Sequence, residues 1–110
     1  MSLPNSALAT IDPAKIRDYL LSFAHPVGRF KAAFFVGLGY NGERWEALRD
    51  DLLAIAQAGV PIRGLSSGFG VKYEIDGMLN GPSGRSAEVR TIWMVGAGET
   101  APRFITAFPR

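Results

Sequence analysis

The stretch AHPVGRFKAAFF, residues 24–35, holds the only histidine of the chain, His25, followed by Pro26, Gly28 and two basic side chains, Arg29 and Lys31. An imidazole exchanges protons near neutrality, and a cation beside it stabilises developing negative charge. If a helix begins near Gly28 or Arg29, its free N–H groups add to the hold on an anion such as phosphate. Farther along, Arg90, Thr91 and Thr106 add a guanidinium and two hydroxyls. These groups suffice to cleave RNA without metal: the imidazole removes the ribose 2′-hydroxyl proton and the cations stabilise the phosphorane. On this reading His25, Lys31, Arg90 and Thr106 are candidate catalytic residues, with Arg29 and Thr91 binding substrate. Each also has a plainer role open to it. His25 can satisfy backbone at a helix end, Arg90 can pair with Glu74 or Glu88 across a sheet, and the threonines are good strand formers.

These side chains are positioned by two unlike halves. Asp12-Pro13 is a helix start, an N-cap carboxylate followed by a residue whose missing N–H costs nothing there. Ile16, Tyr19, Leu20 and Phe23 repeat at helical spacing, which predicts a first helix over 13–22 that ends before Pro26. A second helix is expected over 29–37, with Phe30, Ala33, Phe34 and Leu38 on its apolar face. Asn41-Gly42 opens a third, whose stripe is Trp45, Leu48, Leu52, Ile55 and Ala56 and whose stop is Gly59 with Pro61. Beyond Pro61 the period becomes two. Phe69, Val71, Tyr73 and Ile75 alternate with Lys72, Glu74 and Asp76, with Gly77 marking a bulge or interruption. NGPSGR (80–85) is a turn, SAEVRTIWMV a strand apolar on both faces and hence central, and PRFITAF a last strand. The expected class is α+β: N-terminal helices packed on a C-terminal antiparallel sheet of three to four strands, the fourth being 60–65. Residues 1–10 are expected to be a flexible arm and 11–110 a single domain.

A chain of 110 residues, 47% hydrophobic and 20% charged, has the composition of one globular domain. Its net charge of +2 suits an anionic partner without demanding one. The absence of cysteine excludes disulfides, thiolate metal sites and cysteine nucleophiles. With one histidine and scattered carboxylates, no metal site is expected, and no cofactor. GLGYNG, residues 37–42, spells a dinucleotide fingerprint, but it follows a helix rather than a strand, so its glycines read as a helix stop and turn. The serines at 66, 67, 83 and 86 lack a nucleophile elbow. No run is long and apolar enough for a membrane helix, and the opening residues lack the pattern of a signal peptide, so a cytoplasmic setting is expected.

The segments IRDYLLSFAHPVGRFKAAFF, GFGVKYEIDGMLNGPSGRSAEVRTIWMV and RFITAFP resemble a bacterial family of small domains of unknown function, from about residue 11 to the end. In layout they are similar to toxin ribonucleases of the barnase, colicin and RelE-like group, where a helical half precedes an antiparallel sheet bearing basic and hydroxyl residues. That resemblance implies a toxin-like domain neutralised by a small protein partner, with RNA as substrate. It points to His25, Lys31, Arg85, Arg90, Thr91 and Thr106, and adds Arg85 to the substrate-binding residues. The chain departs from the pattern in having no second histidine, so protonation of the leaving group falls to Lys31, Tyr73 or water. The other function class open to these residues is a non-enzymatic module that binds protein or an anion. The two differ in geometry: an enzyme requires His25, Lys31 and an arginine of the sheet around one phosphate-sized cleft, a module leaves them dispersed or ion-paired.

Overall fold

The computed structural model describes residues 2–110, the side chain of Leu65 aside; Met1 lies outside the described residues. The helical half consists of α1 (Pro13–Lys15), which runs directly into a π-helical turn over Ile16–Leu20, then α2 (Arg29–Gly37) and α3 (Trp45–Ala58), with 3-10 turns at Ser6–Leu8 and Gly42–Arg44. The sheet is an antiparallel meander of β1 (Pro61–Ser67), β2 (Gly70–Asn80), β3 (Ser86–Gly96) and β4 (Arg103–Pro109), in that spatial order. The fold is α+β with four strands, as the change of period at Pro61 predicts.

The core lies between the helices and one face of the sheet. Ile16, Leu20, Phe35, Leu38, Leu48, Leu52 and Ile55 meet Ile75, Leu79, Val89, Trp93, Phe104 and Ala107, all buried. Trp93 packs edge-on against Phe104, with ring centroids 5.3 Å apart. Its indole N–H donates to the Thr91 hydroxyl at 2.8 Å, and that hydroxyl donates to the Ile75 carbonyl at 2.7 Å. Thr91 pairs with Ala107, both buried on the helix side of the sheet.

Several expectations are corrected here. The first helix is shorter than 13–22: the Leu21 N–H bonds to the Ile16 carbonyl at 2.9 Å, a wide π-type turn that closes the element, and Phe23 lies beyond it, exposed. The buried face of α2 is Ala32, Phe35 and Leu38, not the stripe through Phe30 and Ala33, which are exposed. The cause is Gly28, where a Cβ would lie 2.0 Å from the Tyr19 carbonyl oxygen. Gly28, Ala32 and Phe35 follow helical spacing, so the two small residues let α2 press against the π-helical turn and set its rotation. Gly77 marks no bulge, since β2 is regular through it; the Ile55 side chain of α3 fills the space a Cβ would take. The irregularities fall instead in β1 after Arg63 and in β4 opposite the Ile92–Trp93 step. Phe69 sits in the turn before β2 and is exposed, outside the apolar face assigned to it. The opening residues are not a loose arm: Leu3 is buried in the core, and Thr10 forms a parallel bridge with Arg103 beside β4.

Candidate functional site

The Lys31 ammonium on α2 donates to the Tyr19 hydroxyl at 2.8 Å and to the Thr106 hydroxyl of β4 at 2.7 Å. Those two hydroxyls are themselves 3.1 Å apart. Three elements distant in sequence thus converge on a triangle of one cation and two hydroxyls. Among the described residues Lys31 forms no ion pair. Its charge lies instead against aromatic faces, 5.1 Å from the Tyr19 ring centroid and 5.8 Å from that of Phe108. A half-buried ammonium without a carboxylate leaves positive charge available to an incoming anion.

Tyr19 and Thr106 line an open cleft of about 600 Å³ together with Asp12, Lys15, Asp18, His25, Val27 and Ile105. The two carboxylates of this wall are engaged: Asp12 caps α1 by accepting from the Ala14 N–H at 3.0 Å, and Asp18 pairs with Arg17 at 3.5 Å. Lys15 stands 5.9 Å from the Tyr19 ring centroid. Burial alone would raise the Tyr19 phenol, but the hydrogen bonds from Lys31 and with Thr106, and the charges of Lys31 and Lys15, outweigh it and bring the group below its ordinary 10.0. A phenol so placed ionises more readily than an isolated one.

His25 enters the cleft from the corner between the π-helical turn and α2, edge-on to Tyr19 with ring centroids 5.0 Å apart. Its Nδ1 accepts from the backbone N–H groups of Val27 at 3.0 Å and Gly28 at 2.9 Å. With Nδ1 thus occupied, the ring hydrogen of neutral imidazole resides on Nε2. His25 therefore offers the cleft a donor.

The remaining sequence candidates lie elsewhere. Arg90 is engaged by the Asp76 carboxylate at 2.8 and 3.2 Å, with Glu74 at 3.5 Å, and Arg110 joins the same cluster through Asp76 and Glu88. Thr91 is fully buried beneath Trp93. Arg85 borders a separate cleft with Ala33, Phe34 and Gly37. Arg29 is exposed at the start of α2, its guanidinium 4.9 Å from the Phe30 ring centroid. His25, Lys31 and Thr106 are thus brought together; Arg90, Thr91 and Arg85 are not. Tyr19 was the residue missed, because its position in an apolar stripe reads as core. The available signal was Lys15 four residues earlier, which puts an ammonium over the same helical face. A further cleft of about 350 Å³ between α3 and β2 includes Asp51 and Asp76 in its lining and suits an anion poorly. Among the described residues no group of three metal-ligating side chains converges, and no helix is long and apolar enough to cross a membrane.

The helix-then-meander scaffold is that of a small α+β domain. The chain belongs to the family described as Domain of unknown function (DUF6883), whose model matches residues 2–110. Among solved structures it is similar to a chain of a contact-dependent growth inhibition toxin and immunity protein complex from Klebsiella pneumoniae 342, with a TM-score of 0.70, 19% identity and 96% of each chain covered. At that identity the likeness is one of fold. No curated protein matches the chain.

Proposed function

We propose that this domain is a toxin ribonuclease that cleaves RNA without a metal ion, and that a small protein partner neutralises it. The observation that carries the reading is the Tyr19–Lys31–Thr106 triangle beside His25: a lowered phenol and an imidazole ring that line one open cleft, and an ammonium, with no carboxylate partner among the described residues, bonded to the phenol and to Thr106 of that cleft. A phosphodiester in that cleft presents its 2′-hydroxyl to the Tyr19 oxygen, which takes the proton as the 2′ oxygen bonds to phosphorus. Negative charge gathers on the phosphorane oxygens, where Lys31 and the His25 Nε2–H oppose it. The bond to the 5′ oxygen breaks, that oxygen takes a proton from water in the open cleft, and a 2′,3′-cyclic phosphate remains. Thr106 holds the Tyr19 and Lys31 groups in register. The similarity in fold to a chain of a toxin–immunity complex supports a protein partner, and RNA as substrate sets the cytoplasm as the place of action.

Incubating the purified domain with RNA in excess chelator tests this. The wild-type chain is expected to cut, and Tyr19→Phe, which keeps the ring and loses the hydroxyl, to cut about 100-fold more slowly. Intact RNA at high concentrations of the wild-type chain would overturn the proposal.

A further inference from the structure

We propose that Phe30, backed by Arg29 and flanked by Val27, is a stacking platform for an unpaired base of a single RNA strand whose backbone occupies the His25 cleft; this rests on the cleavage reading above. Phe23, Val27 and Phe30 are 60%, 56% and 75% exposed. Such a concentration of large apolar side chains in water, on a segment whose Phe35 and Leu38 are buried, marks a binding surface. The Phe30 N–H donates to the Val27 carbonyl at 3.2 Å, so residues 27–30 form one turn that places both side chains on the same flank. Val27 lines the cleft, and Phe30 stands one turn farther along the same segment.

The chemistry of the pair selects the ligand. A phenyl ring with a guanidinium 4.9 Å from its centroid is the arrangement that holds nucleobases by stacking while the cation attends the backbone. Lys15, Arg29 and Lys31 on the neighbouring segments form no ion pair among the described residues, while Arg17 is matched by Asp18 and Asp12 accepts from its own helix. The local charge is therefore complementary to a phosphate strand. Every base has a flat face, so the platform admits any unpaired base and excludes paired ones, whose faces are already stacked.

Fluorescence anisotropy with an uncleavable 2′-O-methyl single strand, and with an abasic strand of equal length, decides the matter. Phe30→Ala is expected to weaken binding of the base-bearing strand about 5- to 150-fold. Phe30→Trp is expected to preserve it, and the abasic strand to bind weakly and equally to wild type and variant. Undiminished binding by Phe30→Ala, equal wild-type affinity for the two strands, or no binding of either would overturn the platform; equal affinity would fit a surface that reads charge alone or docks a protein. RNA left uncut by a chain that shows the Phe30 dependence would defeat the cleavage reading and leave the platform intact, whereas cleavage without that dependence would do the reverse.

Discussion

In the proposed cleavage Lys31 is the central residue, because it touches both hydroxyls and lowers the phenol assigned as base. A phenol acting as base is competent only when ionised, so cleavage should rise tenfold per pH unit until the lowered Tyr19 value is passed and then level off. Lys31→Met keeps the stem and removes the charge. It is expected to cut the rate near neutrality about 100-fold and to move the levelling point to higher pH, because the influence that lowers Tyr19 is gone. Rate profiles for both chains check this, and a variant that loses rate with an unmoved profile would assign Lys31 a purely structural role. At this scale the sequence was half legible. His25, Lys31 and Thr106 could be picked out as types able to do chemistry. That Arg90 is committed to Asp76 depended on strand register, and the hydrogen position on His25 depended on two backbone N–H groups, neither of which spacing reveals.

The elements were easier to read than their rotations. Asp12-Pro13, Asn41-Gly42 and the alternation from Val71 onward mark starts and periods with local physics, and α3 carries its stripe where expected. The face of α2 could not be read this way, since Phe30 and Phe35 are equally apolar and only the tertiary approach at Gly28 chooses between them. That approach also builds the site, because the Gly28 N–H holds His25 Nδ1 while its Cα packs on Tyr19. Gly28→Ala should therefore destabilise the domain by about 1–3 kcal/mol through overpacking and abolish cleavage, although residue 28 supplies no reacting group. Thermal unfolding together with activity of the folded fraction checks this; full activity in that fraction would detach the corner from the site.

At the scale of the molecule, the two faces of the sheet do different work. One is sealed by the helices; the other carries Glu74, Asp76, Glu88, Arg90 and Arg110 as an ion-pair cluster. Asp76 is held below its ordinary 3.8, first by its hydrogen bond from Arg90, against a smaller opposing effect of burial and with help from the charges of Arg110 and Arg90. A carboxyl lowered by folding binds fewer protons in the native state than in the unfolded chain. Its contribution is thus complete above pH 3.8 and drains away as pH falls through the native value. Asp76→Asn should lower stability by about 1 kcal/mol near neutrality and flatten the loss of melting temperature on the acid side; an unchanged acid limb would place the pH dependence elsewhere.

The proposed cleavage depends on the 2′-hydroxyl as nucleophile at the Tyr19–Lys31–Thr106 triangle. It is tested most directly by giving the domain, in chelator, an RNA strand and the same strand made entirely of 2′-deoxynucleotides, and identifying the ends produced. The expected result is 2′,3′-cyclic phosphate ends from the RNA, with no cut in the deoxy strand and about 100-fold fewer ends from Tyr19→Phe. Cutting of the deoxy strand, 5′-phosphate ends, or undiminished cleavage by Tyr19→Phe would contradict it.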